Sequence, residues 1–304
     1  MIVAVENLTH RYGARVALDG LSFGVARGAV YGVLGPNGGG KSTLFAILST
    51  LITPSSGQVV VDGVDALAKP AEVRRRIGVV FQTQSVDRKL TVEENLLMQG
   101  ALYGLRGDLL RNRAREALDH LGLGDRARER ADRLSGGLKR RLEIAKALLH
   151  QPAVVLMDEP SAGLDPAARR DLWTHIERLR GELGATVLLT THLLDEADRC
   201  DRLLLIHQGR KVAEGTPAEL KSRVGGDVVV LHVRDAARAA GEITRRFQAP
   251  VRIAGDTLRV EIPNGHRFLA EAVEALPGEV LSLALHKPTL EDVFLDETGV
   301  TLGG

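Results

Sequence analysis

Residues 35–43 read Gly35-Pro36-Asn37-Gly38-Gly39-Gly40-Lys41-Ser42-Thr43, between the apolar run Val30–Leu34 and the apolar stretch Leu44–Leu51. A strand, a glycine-rich loop and a helix in that order form a nest of backbone N–H groups backed by the positive end of a helix dipole. Glycine permits the inward turns of such a loop. The G-x-x-x-x-G-K-[ST] spacing offers the Lys41 ammonium to the β- and γ-phosphates and the Ser42 hydroxyl to Mg²⁺. In this flanking context it predicts a nucleoside triphosphate site rather than a glycine-rich turn capping an ordinary helix.

A second chemical group follows the run Val154-Val155-Leu156-Met157, which ends in Asp158 and Glu159. Two carboxylates leaving a dry strand are costly without a cation or proton partner. Beside a phosphate loop, Asp158 is expected to meet Mg²⁺, directly or through water, and Glu159 to orient or deprotonate an attacking water. The plainer alternative is an acidic turn into Pro160. Leu134-Ser135-Gly136-Gly137 opens a helical stretch at 138–150. It reads either as a serine N-cap or as a second anion-binding helix start, and the residues leave both open.

The elements that must position these groups alternate short apolar runs with amphipathic segments, the pattern of a parallel sheet covered by helices. Val33-Leu34 leads into the phosphate loop, Ile77–Phe81 ends at Gln82, Val154–Met157 ends at Asp158-Glu159, and Val187–Thr191 ends at His192. Ligands of open parallel sheets bind beyond the carboxyl ends of the strands, so these ends predict a converging site. Gln58–Val64, with Asp62-Gly63, reads as an antiparallel hairpin. Thr91 and Glu94 form a capping-box pair opening a helix toward Leu102. Residues 138–150 place Leu138, Leu142, Ala145 and Leu149 on one face, and Arg74-Arg75-Arg76 reads as a solvated helix end. From Gly225-Gly226-Asp227 onward the order is strand 228–233, helix 236–247, strands 251–253 and 257–262, helix 265–276 and strand 280–286. That is a ferredoxin-like β-α-β-β-α-β unit, followed by a short helix from Thr289 with Asp292 placed to close a capping box. The expected division is 1–224 and 225–304, the second part carrying no phosphate loop or metal-ligand spacing.

At 304 residues the chain suits one large and one small domain. A net charge of +1 and 3% aromatic content argue against nucleic acid as a partner. Cys200 is the single cysteine, which excludes an internal disulfide and thiolate metal sites and fits a reducing cytoplasm. Met1–Glu6 lacks the basic-then-apolar order of a leader, and no run approaches the ~20 apolar residues of a spanning helix. Any membrane crossing is expected from another polypeptide.

Gly35–Thr43, Gln82, Leu134–Gly137, Val154–Pro160, Ser161-Ala162-Gly163-Leu164-Asp165 and His192 resemble, in that order, the Walker A, Q-loop, signature, Walker B, D-loop and switch-histidine elements of the ATP-binding cassette family. The resemblance covers roughly residues 1–220. It implies an α/β P-loop NTPase cassette with a parallel-sheet core, an antiparallel β subdomain and a helical subdomain, using ATP and Mg²⁺. In that family two nucleotide-binding domains sandwich two ATP molecules. Ser135 and Gly137, flanking Gly136, would contact ATP held by Lys41 of the opposite subunit. Gln82 would sense Mg²⁺ and the γ-phosphate, His192 would steady the γ-phosphate and the water, and Asp165 would connect the two sites. Tyr12 resembles the aromatic that stacks on adenine, and a packing role suits it equally. Gly39 replaces a frequent small side chain, and Lys146 a frequent arginine, which loses bidentate geometry.

The tail His286–Leu295 is similar to the endings of efflux-type ATPase subunits in the drug-resistance, sodium-extrusion and nodulation-exporter group, which favours export. Thr83–Leu105 corresponds to the family's docking segment for a membrane coupling helix, although Leu96-Leu97-Met98 suits a helix core as well. The resemblance therefore implies a cytoplasmic ATPase subunit, peripheral on the inner face of the cell membrane. It would pair with an identical or different nucleotide-binding subunit and dock on separate transmembrane permease subunits. A soluble cassette ATPase acting on ribosomes or DNA is the alternative, disfavoured by the single cassette and the lack of a heptad run. A phosphotransferase would leave Leu134–Gly137 unexplained.

Overall fold

Short β-branched and leucine-rich runs bounded by glycine or polar turns become strands, and the longer periodic segments become helices. The computed structural model describes residues 1–302, which divide into two units, 1–214 and 215–302. The first contains β1 (Val3–Tyr12), β2 (Arg15–Val25), β3 (Val30–Leu34), α1 (Lys41–Leu48), β4 (Ser56–Val61), β5 (Val64–Asp65), α2 (Pro70–Arg76), β6 (Ile77–Val80), α3 (Val92–Leu102), α4 (Gly107–His120), α5 (Gly136–Leu148), β7 (Val154–Asp158), α6 (Pro166–Leu183), β8 (Thr186–Thr191), α7 (Leu194–Ala197), β9 (Arg202–His207) and β10 (Arg210–Gly215).

The central sheet runs β10-β9-β3-β8-β7-β6, and the pairs β9–β3, β3–β8, β8–β7 and β7–β6 are parallel. Every residue of β3, β7 and β8 is buried, which is why these strands read as uninterrupted apolar runs. The strands that end in the phosphate loop, Gln82, Asp158-Glu159 and His192 are therefore neighbours with their carboxyl ends on one edge. A second, antiparallel sheet runs β2-β1-β4-β5. Its apolar face, with Val3, Val5, Leu8, Leu21 and Val59, shares a core with Tyr31, Val33, Leu44 and Leu48. Asp62 and Gly63 join β4 to β5 with φ of 47° and 77°, the left-handed pair of a type I′ hairpin turn.

The helices α3, α4 and α5 pack on one another as a separate layer. Thr91 and Glu94 close the expected capping box at the start of α3. Within α3, Leu96 is fully buried while Met98 is 45% exposed, so the apolar run contributes both to the core and to the surface. Buried Asn95 accepts from the Asp87 N–H and donates to the Asp87 and Thr91 carbonyls, tethering the irregular segment after Gln82. No helix among the described residues is long and apolar enough to cross a membrane.

The second unit contains α8 (Pro217–Lys221), β11 (Asp227–Val233), α9 (Ala236–Phe247), β12 (Val251–Ala254), β13 (Thr257–Ile262), α10 (Gly265–Ala275), β14 (Val280–His286) and α11 (Leu290–Thr298). Its antiparallel sheet runs β12-β13-β11-β14. Val229, Leu231, Leu258 and Val260 face Ile243 of α9 and Phe268 and Ala272 of α10 in one core. Arg259 alternates with Leu258 and Val260 and so points to the opposite face, where Nη1 donates to Asp292 of α11. Asp292 also closes the capping box with Thr289. The composition changes at Gly225, but the compact unit begins at Gly215 because α8 packs on α11, with an Arg223–Glu297 ion pair nearby.

Asp292→Ala removes the cap of α11 and the main partner of Arg259 together. It is expected to destabilise the second unit by about 3 kcal/mol, read as earlier denaturant unfolding or faster proteolysis within residues 215–302. Wild-type resistance would contradict this role for the pair.

Candidate nucleotide site

The phosphate loop is positioned by β3 and α1 and by constraints on its glycines. A Cβ on Gly35 would lie 2.3 Å from the Ile206 carbonyl oxygen, and Gly40 holds φ at 108° with the Ala17 carbonyl 2.8 Å from where its Cβ would stand. Side chains are excluded there on both conformational and spatial grounds. Lys41 opens α1 with its side chain 5% exposed. Its Nζ donates to the carbonyls of Gly35 (2.8 Å) and Pro36 (3.1 Å) and stands 3.4 Å from Glu159 Oε1. Burial lowers the Lys41 pKa, and the carboxylates of Glu159 and Asp158 oppose that shift.

Asp158 ends β7 beside Thr190 of β8. The buried Thr190 hydroxyl donates to Asp158 Oδ1 at 2.6 Å and accepts from the Glu159 N–H at 3.0 Å. Burial raises the Asp158 pKa, with the Thr190 hydrogen bond pulling the other way. Its charged form thus favours a nearby cation. Glu159 adopts φ 42°, a left-handed conformation that a side chain occupies only when its surroundings enforce it. This turn aims its carboxylate across the strand ends. Oε1 lies 3.3 Å from His192 Nδ1, within ion-pair reach but not aligned as a hydrogen bond, while Oε2 accepts from Gln82 Nε2 at 3.4 Å.

Beside this cluster is a cleft of about 230 Å³ lined by Tyr12, Arg15, Ala17, Asn37, Gly38, Gly40, Lys41, Ser42, Thr43, Gln82 and Glu159. Gly35, Pro36, Gly39, Asp158 and His192 are not on its lining; Asp158 and His192 connect to it through Thr190 and Glu159. Tyr12 is 52% exposed and meets His10 edge-on, with ring centroids 4.6 Å apart. Ser42, Gln82 and Asp158 offer hard oxygen donors of the kind Mg²⁺ takes when phosphate and water complete its shell. Among the described residues no group of three or more His, Cys, Asp or Glu could hold a metal by itself.

Ser135, Gly136, Gly137 and Asp165 do not line this cleft. Ser135 caps α5, its Oγ accepting from the Leu138 N–H at 3.3 Å. Asp165 caps α6, accepting from the Ala167 and Ala168 N–H groups at 2.9 Å. A Cβ on Gly137 would come within 2.9 Å of Ala168 Cβ, so the starts of α5 and α6 approach closely. Ser135 and Gly136 are exposed.

Three contributors escaped the sequence reading. Arg15, in β2, carries no local signature. Thr190 is indistinguishable from any β-branched strand residue. Arg140 looks solvated within Lys139-Arg140-Arg141, yet its side chain is 5% exposed. Its signal was available: Arg140, Glu143 and Lys146 recur at helical spacing as a second, polar stripe on α5, and all three are buried.

Residues 18–162 match the family model of the ABC transporter. The chain is similar to the daunorubicin/doxorubicin resistance ATP-binding protein DrrA of Streptomyces peucetius, 42% identical across 98% of this chain and 92% of that protein. It is also similar to the Nod factor export ATP-binding protein I of Burkholderia lata, 40% identical across 97% of this chain and 96% of that protein. Among solved structures, cbiO1 from Clostridium perfringens, part of the ABC transporter complex cbiONQ, superposes with a TM-score of 0.69 at 29% identity, covering 81% of this chain and 96% of that one. Similarity that runs nearly end to end, at 40% identity and above, places this chain in the ATP-binding cassette family, as an ATP-binding and ATP-hydrolysing subunit of a transporter.

Proposed function

We propose that the chain drives export across a membrane by hydrolysing Mg²⁺-ATP in a dimer docked on separate permease subunits at the cytoplasmic face. The observation that carries the catalytic part is the gathering of Lys41, Gln82 and His192 around the Glu159 carboxylate. Lys41 would exchange the Gly35 and Pro36 carbonyls for β- and γ-phosphate oxygens. The loop N–H groups of residues 35–43 would cradle those phosphates, with Tyr12 and Arg15 at the outer end of the cleft for the base and sugar. Ser42, Asp158 and Gln82 would hold Mg²⁺, which supplies charge neutralisation on the phosphate oxygens. Glu159 would accept the hydrogen bond of the attacking water and draw off its proton, and His192 would hold the γ-phosphate in line.

Dimer action is supported by the placement of Ser135–Gly137 at a helix N-terminus and outside the cleft of their own chain, with Ser135 and Gly136 exposed. They are suited to close over nucleotide on a second subunit, with Asp165 nearby to relay between the two sites. Docking on a permease is supported by a cavity of about 380 Å³ beside the segment that follows Gln82, where apolar Leu51, Phe81 and Met98 stand among polar Arg74, Glu143 and Lys146. The absence of a spanning helix among the described residues fits a peripheral subunit. Export is supported by the resistance and export roles in the names of the relatives.

Glu159→Gln is expected to retain ATP binding and lower phosphate release at least about tenfold, because the water loses its base. Release at the wild-type rate would remove Glu159 from that role. Lys41→Ala and Ser135→Ala subunits, each impaired alone, are expected to recover activity when mixed, since one composite site per mixed dimer is intact. A verified mixed dimer without recovery would exclude shared sites.

A further inference from the structure

A guanidinium as buried as that of Arg140 is strongly unfavourable unless its N–H groups all find acceptors. Nε donates to the Pro160 carbonyl at 2.6 Å. Nη1 donates to the Phe81 carbonyl at 2.5 Å and to Glu143 Oε2 at 2.9 Å. Nη2 donates to the carbonyls of Asp158 (3.2 Å) and Glu159 (3.4 Å). All of these acceptors except Glu143 are backbone carbonyls, and they come from two segments. Phe81 immediately precedes Gln82, and Asp158–Pro160 carry the paired carboxylates. One turn further along α5, Glu143 accepts from the Ser85 N–H. Another turn on, Lys146 Nζ donates to the Ser85 carbonyl at 2.8 Å. A single helix face therefore grips the backbone on both sides of Gln82 and the backbone of Glu159, and the same helix begins at Ser135.

We infer that Arg140 is a positioning residue for ATP hydrolysis, holding the Glu159 backbone in register with the Gln82 segment and with the helix that starts at Ser135. This inference rests on the role proposed for Glu159. The left-handed turn at Glu159 is held at its N–H by Thr190 and at its carbonyl by the Ala162 N–H and Arg140, which also holds the carbonyls of Asp158 and Pro160 on either side. Without Arg140 the Glu159 carbonyl keeps only the Ala162 N–H and the flanking Asp158 and Pro160 carbonyls lose their donor, which lets the turn shift and moves the carboxylate away from Gln82 and His192. Displacement of either gripped segment likewise reaches the carboxylate through one rigid, planar joint. Lysine keeps the charge, but its donors radiate from one nitrogen and cannot span carbonyls as separate as those of Phe81 and Pro160.

The test uses the full-length protein, with turnover expressed per nucleotide-binding site. Arg140→Lys is expected to leave ATP affinity within about twofold and to lower kcat at least about tenfold, as small misplacements of a catalytic group do. Glu143→Gln loosens the same joint, so the double variant is expected to lose little more than Arg140→Lys alone. Leu142→Ala, buried on the same helix, serves as the control for stability. It lowers Tm through a cavity and is expected to keep wild-type kcat per site. Wild-type kcat in Arg140→Lys, additive losses in the double variant, or an equal kcat loss in Leu142→Ala at matched Tm would each overturn the inference. Wild-type turnover that Glu159→Gln abolishes supports the underlying reading whatever Arg140→Lys does, so the two failures are distinct.

Discussion

Adjacent carboxylates at the end of a fully buried strand must be balanced by positive or hydrogen-donating groups, and the requirements of Asp158 and Glu159 organise the site. Asp158 is met by the Thr190 hydroxyl of the neighbouring strand. Glu159 is met from further away, by Lys41 at the start of α1, Gln82 after β6 and His192 after β8. These partners can converge only because the strands run parallel and adjacent, so that their carboxyl ends share one edge. An antiparallel arrangement of the same strands would send half of these groups to the opposite end. The left-handed backbone at Glu159 is the local strain that this geometry sustains.

The helix α5 shows how one element can serve two layers at once. Its apolar side, with Leu142, Ala145 and Leu149, is buried as an amphipathic helix requires. Its polar stripe is buried too, because backbone carbonyls left unpaired at the ends of β6 and β7 need donors. A buried guanidinium and the irregular backbone around it thus satisfy each other. Either alone would be costly, so the segment after Gln82, the Glu159 turn and the start of α5 are tied together.

In the second unit the same reasoning explains the polar residues within an apolar tail. Arg259 and Asp292 are both largely buried, and each answers the other's charge, while Asp292 also ends the orphan N–H groups of α11. Phe294, Leu290 and Val293 are buried beside them. The tail thereby folds onto the face of the sheet opposite α9 and α10. The antiparallel order β12-β13-β11-β14 follows from the two strand-helix-strand halves interleaving about the central pair.

Chemistry confined to one stretch of chain was legible in the sequence. The phosphate loop, the Asp62-Gly63 turn, the capping boxes at Thr91 and Thr289, and the order of strands and helices all depend on neighbouring residues or on a local period, which spacing records. The polar strand ends were legible individually for the same reason. What only the tertiary structure decided is which distant groups meet. The bridging of the Asp158 carboxylate and the Glu159 N–H by Thr190, the burial of Arg140 on carbonyls from two segments, the placement of Arg15 on the cleft and the attachment of α8 to α11 depend on backbone atoms and on pairings between segments far apart in the chain. A carbonyl has no residue type, so its need for a donor leaves no mark in the sequence until the fold has buried it.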